Sequence, residues 1–289
     1  MCDMEKLLFA DAHSHINPIR GLGARRIASK FKNSGGWFIA LVSLPPYYYG
    51  FNDLTIENYA KTIELLINEA KIMRSYGLKV KLLAGFHPAE VDEHFRRGRD
   101  LKYIVEFADE VFKLIIDYHR KGYIDGIGEV GRQHYSTAPS RIIASELILI
   151  KAMEYARDHD MIMHLHLEQG GWVTVESIDK LRRITGIMRE KVFLHHVDYE
   201  TSVWSEKYGY WYTVPAKKRI LSKVLSEKRN YILVESDFID DPDRPGVSSY
   251  PWDIPKRIKE LLSEGIINVE NVYRSMIDNI VKAYRVEPP

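Results

Sequence analysis

Eight short apolar runs recur along the 289-residue chain, at 7–12, 37–43, 79–86, 124–130, 161–167, 192–197, 208–214 and 231–236. Each is nearly continuous in its apolarity, as strands buried on both faces are in parallel sheets. Longer stretches with apolar residues at helical spacing lie between most of them, at 55–76, 101–121, 140–158, 173–183 and 215–227, and two more, 255–263 and 269–284, close the chain. Parallel strands need a crossover, usually a helix, so this alternation predicts an α/β protein, a (β/α)8 TIM barrel. A hydrophobic content of 45% is enough to fill such a core. No linker, repeat or low-complexity tract interrupts the pattern, and residues 1–289 are read as a single barrel domain.

Composition narrows the chemistry. A formal net charge of +1 provides no global field toward nucleic acid or membrane. Cys2 is the only cysteine, which excludes an internal disulfide and a thiolate metal cage. Any metal must then be held by His, Asp and Glu. No apolar run approaches the roughly 20 residues a membrane helix requires, and residues 1–6 lack a signal-peptide core. A soluble, cytoplasmic protein without membrane partners is expected; the oligomeric state is left open.

The strand ends carry the specific signal. The first run leads into Asp11, His13 and His15, the third into His87 before Pro88, and the fourth into Gly128-Glu129-Val130-Gly131. The fifth holds His164 and His166, the sixth His195 and His196, and the eighth Glu235-Ser236-Asp237. In a parallel barrel these ends converge on one face, where active sites are built. Imidazoles and carboxylates together suit a divalent metal, most naturally zinc, with magnesium or manganese as alternatives. The expected arrangement is one ion on His13, His15 and Asp237, a second on His164 and His195, and Glu129 between them. A single ion on most of the same ligands is the simpler version. A metal-activated hydroxide would be the nucleophile, and Asp237 would take its proton.

In order and spacing these motifs resemble the TatD-type metal-dependent hydrolases of the amidohydrolase superfamily. The resemblance rests on Asp11–His15, Gly85-Phe86-His87-Pro88, Gly128–Gly131, His164, His195 and Glu235-Ser236-Asp237. It implies a barrel with one or two divalent cations and hydrolysis, with members known as 3′–5′ deoxyribonucleases. By the family pattern His13, His15, Glu129, His164, His195 and Asp237 are the metal ligands, with Glu129 and Asp237 also catalytic. The chain departs from the pattern at Arg132-Gln133, where a Leu-Asp pair is usual, at His166, where Arg is usual, and in the segment 240–246. It therefore resembles a divergent branch.

The departures fall on positions expected to face substrate, so Arg132, His166 and Arg244 are candidate substrate contacts, as is His87 at its strand end. On regular strand alternation alone, His166 and His196 are expected to face away from the ligands. His94, His119, His134 and His159 are expected to be solvated. The aromatic stretches 47–51 and 208–212 could stack bases or merely line the mouth and pack an edge. The basic runs 96–99 and 217–219 could track phosphates, but read first as solvated helix faces. The leading expectation is hydrolysis of a phosphodiester in DNA or a smaller phosphate ester. Hydrolysis of an amide, lactone or carboxylic ester by the same site is the alternative, and a non-catalytic nucleic-acid-binding barrel is the third reading.

Overall fold

A computed structural model describes residues 7–243 and 249–289. Arg244 and Cys2 lie outside the described residues. The eight strands are β1 (Phe9–Ser14), β2 (Gly36–Val42), β3 (Lys79–Ala84), β4 (Gly126–Gly131), β5 (Ile162–His166), β6 (Val192–His195), β7 (Trp211–Pro215) and β8 (Ile232–Glu235). They form one parallel sheet in the order β1 to β8. Closure of β8 onto β1 runs through backbone bonds: Asp237 N–H donates to the His13 carbonyl at 3.0 Å and His15 N–H to the Phe238 carbonyl at 2.8 Å. The buried Asp11 carboxylate reinforces that seam by accepting from the Ser236 N–H (2.9 Å) and hydroxyl (2.6 Å).

The helices are α1 (Gly23–Asn33), α2 (Ile56–Ser75), α3 (Pro88–Arg96), α4 (Leu101–Arg120), α5 (Pro139–Asp158) and α6 (Trp172–Thr185). The second half adds α7 (Tyr199–Tyr208), α8 (Lys218–Leu225), α9 (Asp253–Ser263), α10 (Val269–Tyr273) and α11 (Asn279–Tyr284). Three of these, α1, α3 and α7, fall outside the helices expected from periodicity. For α7 the reason is physical. Its buried face is Thr201, Ser202 and Ser205, small polar side chains that leave no apolar stripe. The seventh strand accordingly starts at Trp211, three residues later than expected. The single helix expected over 269–284 is α10 and α11 joined by a π-helical turn, Arg274–Asp278.

Two apolar cores flank the sheet. The larger packs helices on its outer face, including Ile39, Phe86, Phe112, Val130 and Tyr212. The smaller fills the barrel interior with Phe38, Leu83, Phe193 and Leu233 and with Ile280 and Tyr284 of α11. This C-terminal segment closes the floor: the Trp37 indole N–H donates to the Met276 carbonyl and the Asn279 amide to the Ile232 carbonyl, both at the starts of strands. The mouth, at the opposite strand ends, is left for chemistry.

Candidate metal centre

Two glycines let the strands approach where the site is built. A Cβ on Gly85 would lie 2.2 Å from the Glu129 carbonyl oxygen, and one on Gly131 would lie 1.9 Å from that of His166. Both belong to the motifs singled out above. The β4–β5 register shifts between Gly128 and Val130, a bulge that places Glu129 at the centre of the cluster.

Glu129 is the hub. Its Oε1 faces three imidazole nitrogens: His13 Nε2 at 2.7 Å, His15 Nε2 at 3.4 Å and His195 Nε2 at 3.3 Å. Asp237 Oδ1 completes that group, 3.7 Å from His15 Nε2 and 3.8 Å from His195 Nε2. On the other side, Glu129 Oε2 faces His87 Nε2 at 3.0 Å and His166 Nδ1 at 3.4 Å. Outer partners orient the inner rings. His15 Nδ1 lies 2.9 Å from the Val42 carbonyl, and His195 Nδ1 lies 2.7 Å from Glu235 Oε2. Both partners only accept, so each Nδ1 is a donor and each Nε2 is turned to the site, as ligand histidines require.

Burial alone would neutralise these groups. Mutual attraction overrides it. Burial opposes the charged form of His15, yet Asp237 and Glu129 raise its pKa to about 10. His196 is likewise pushed up to about 10 against burial by Asp237 and Glu235. Burial raises Glu129 and Asp237 too, but the surrounding imidazoles hold both well below the usual carboxylate range. His13 goes the other way, lowered to about 4 by burial and by the charge on His195. The protein thus balances its own buried carboxylates with protons. A divalent cation does the same with one charge centre, and its binding displaces those protons. The donor set fits such an ion: His13 Nε2 is buried and faces only the Glu129 carboxylate, itself a ligand group. His13, Glu129, His195 and Asp237 offer atoms all within 4.8 Å of one another, as do His87, Glu129 and His166.

The expected residues are sorted by height in the barrel. His13, His15, Glu129, His195 and Asp237 meet as described. His164 does not reach the cavity. It lies one layer lower, fully buried and stacked on Phe193 with ring centroids 5.1 Å apart. His166, two residues on, keeps the same side of β5 and stands a layer higher, in the cavity wall. The expectation that it faces away is thereby corrected, since residues at i and i+2 share a face. His196 also turns inward, for a different reason: its φ of +56° ends the strand alternation, and its Nδ1 comes 3.0 Å from Asp237 Oδ2. Asp237 itself has φ +51°.

His87 is at the rim. Its Nδ1 accepts the Ala89 N–H at 3.0 Å, capping α3, so a neutral His87 carries its proton on Nε2 and presents a donor rather than a lone pair. Arg132 is not in the cavity wall. Its guanidinium is held fork-to-fork by Glu168 (3.0 and 2.7 Å) and further by Glu146 and Ser177, which leaves it no face for an anion. His94 is buried against Phe86 and Phe107 rather than solvated, and His134 is exposed but stands on the cavity rim. Tyr210 and Tyr212 are fully buried in the outer core, so the 208–212 stretch packs instead of stacking substrate.

The mouth encloses a cavity of about 350 Å3. Tyr47, Tyr48 and Tyr135 form part of its wall, and Lys217 is the one Lys or Arg among the described residues that line it. Glu235 entered the sequence reading only as part of the eighth-strand motif, and Lys217 only as part of the basic run 217–219.

A barrel whose strand ends gather imidazoles and carboxylates around one cavity is the architecture of a metal-dependent hydrolase. The chain belongs to the family described as TatD related DNase, whose model matches residues 10–285. It is 28% identical over 288 residues to a protein of Methanocaldococcus jannaschii named "Uncharacterized protein MJ1127", covering 98% of both chains. In fold it is similar to the TatD-like protein AF1765 of Archaeoglobus fulgidus, with a TM-score of 0.64 at 15% identity over 95% of this chain and 100% of that one. It is also similar to the phosphotriesterase homology protein of Escherichia coli, solved with phosphate in its active site, with a TM-score of 0.66 at 13% identity over 96% and 99%. No helix among the described residues is long and apolar enough to cross a membrane.

Proposed function

We propose that this chain hydrolyses phosphodiesters in the manner of a TatD-like deoxyribonuclease, at the end of a DNA strand or on a smaller phosphate ester. The observation that carries the reading is the Glu129 carboxylate, with three imidazole Nε2 atoms on one oxygen and the His87–His166 pair on the other. His13, His15, His195 and Asp237 would hold one divalent ion with Glu129. His166 would share Glu129 in holding a second. Zinc suits these donors best, with manganese or magnesium as substitutes. Such an ion supplies an acidified water and a positive charge facing the developing oxyanion.

The chain's own groups do the rest. Asp237 is ionised, lines the cavity and is placed to take the proton of the attacking water. The Lys217 ammonium is a donor for a non-bridging phosphate oxygen. Tyr47 and Tyr48, with ring centroids 5.2 Å apart, provide apolar wall for a planar group. A cavity of about 350 Å3 accommodates a terminal residue or a small ester more readily than a duplex.

The second reading, hydrolysis of a lactone or carboxylic ester, is favoured by one observation: with Arg132 neutralised by Glu168 and Glu146, the wall offers little fixed positive charge for phosphate. A metal assay with a substrate panel separates the two. The purified protein should contain one or two divalent ions per chain. It should shorten a single-stranded oligonucleotide or cleave bis(p-nitrophenyl) phosphate, lose that activity to a chelator and recover it with zinc or manganese. Turnover confined to lactones and uncharged esters would remove the phosphodiester reading, and absence of any retained ion would remove both.

A further inference from the structure

Beneath the metal centre a buried chain of polar groups runs from the floor of the barrel to His13. The Tyr284 hydroxyl, on α11, lies 2.5 Å from the Ala12 carbonyl oxygen and 3.1 Å from His164 Nε2. His164 Nδ1 lies 2.8 Å from His13 Nδ1. All three side chains are sealed from solvent. Counting protons gives this chain a single solution. A carbonyl only accepts, so the one hydroxyl proton of Tyr284 is committed to Ala12. The phenol oxygen can then only accept from His164, which places the His164 proton on Nε2. A neutral imidazole protonated at Nε2 has a lone pair at Nδ1. His13 must therefore donate from its own Nδ1, which leaves Nε2 as the nitrogen an ion can take. That nitrogen is the one 2.7 Å from Glu129 Oε1.

We infer that Tyr284 and His164 form a relay that fixes the tautomer and tilt of His13, so that His164 is a positioning residue and not a metal ligand. The inference rests on the reading of His13 as a ligand. Both ring nitrogens of His164 are already engaged, and neither is directed at Glu129 or Asp237. The three inner imidazoles then differ in what stands behind them. His195 donates to a carboxylate, Glu235, His15 to the Val42 carbonyl, and His13 to a neutral imidazole backed by a phenol. A C-terminal turn that touches no substrate thereby reaches the metal centre through two rings.

The test replaces the far end of the relay. Tyr284→Phe strips His164 Nε2–H of its acceptor in a buried site. The ring then favours a proton on Nδ1, which meets the Nδ1–H of His13 and drives that ring to carry its proton on Nε2, where the ion should bind. His164→Phe removes the acceptor outright. Zinc affinity, measured by competition with a chromophoric chelator, should fall about 10–100-fold in each, the range seen when an outer partner of a ligand histidine is lost. The number of zinc ions held at saturation should stay that of wild type. Nitrogen-15 spectra of the metal-free wild type should show His13 protonated at Nδ1 and His164 at Nε2.

Loss of one ion at saturation in His164→Phe would make His164 a ligand and overturn the inference. So would wild-type zinc affinity in Tyr284→Phe, or a His13 Nδ1 without a proton in the wild type. A purely structural contact would lower thermal stability without moving zinc affinity. If His164→Phe does not fold, Tyr284→Phe decides alone. If the wild type itself retains no zinc, the metal-hydrolase reading fails, while the nitrogen spectra still judge the relay.

Discussion

Two buried glutamates stand on either side of His87 and are in opposite states. Glu129 faces His87 Nε2 at 3.0 Å, and Glu90 accepts the His87 backbone N–H at 2.7 Å. Both are almost wholly buried, at 4% and 1% exposure. Glu129 sits among imidazoles, which hold its carboxyl ionised against the cost of burial. Glu90 sits among Phe86, Tyr59 and the backbone; burial pushes its carboxyl up to about 8, and the hydrogen bonds from Tyr59 and His87 offset that only in part. The partner, and not the depth, decides whether a buried acid is a charge or a neutral donor. In this barrel the first stands at the centre of the imidazole cluster and the second holds the start of α3 under the rim.

The largest expected break in that contrast is Glu129→Gln. The amide keeps the shape but removes the charge that both ligand groups share. Ion content should fall below wild type, and kcat/KM should drop at least about 1000-fold, the order expected when a bound metal's electrostatic stabilisation is lost. Metal analysis beside the rate of bis(p-nitrophenyl) phosphate cleavage checks it. Unchanged ion content with unchanged rate would show that Glu129 is as structural as Glu90.

Glu90→Gln tests the other half by pH. Below about pH 4.5 the wild-type Glu90 is protonated both folded and unfolded, so its contribution to stability is fully present. Between about 4.5 and 8 the unfolded chain releases the proton while the folded one keeps it, and stability falls until the folded group also ionises. The glutamine variant, which can still accept from His87 and donate to Tyr59, lacks this loss. Relative to wild type it should gain roughly a few kcal/mol between pH 5 and 9. Urea unfolding across that range reads the difference directly; a flat difference would place an ionised Glu90 in the folded protein.

Much of this was legible in the sequence because strand ends are legible. Runs of buried β-branched and aromatic residues mark the eight strands, and the residues that follow each run mark the mouth. Height within the barrel was not. Whether His164 or His166 reaches the cavity depends on the β4–β5 register and its bulge at Glu129, which no single strand encodes. The inward turn of His196 depends on a positive φ that periodicity does not foresee. Arg132 follows a strand end, where a substrate contact is expected, yet its partners Glu146 and Glu168 come from α5 and the loop after β5, and only packing brings them together. Glu90 left no sequence signal that set it apart from any other helical acid.

The smallest expected effect lies at the rim, where charge is neither trapped by burial nor held by partners. Lys217 is exposed at the cavity wall, and its ammonium has no carboxylate partner among the described residues. An exposed charge contact of this kind is worth up to about 1 kcal/mol, or roughly fivefold in binding. Lys217→Gln should therefore raise KM for a phosphodiester by about that factor, leave kcat within twofold by the same estimate and leave a neutral lactone unaffected. The KM effect should shrink as salt is added, since an exposed charge is screened where the Glu129 cluster is not. Steady-state kinetics on the two substrates at low and high salt would show this. An equal KM effect on charged and neutral substrates would mean that Lys217 contributes shape at the rim and not charge.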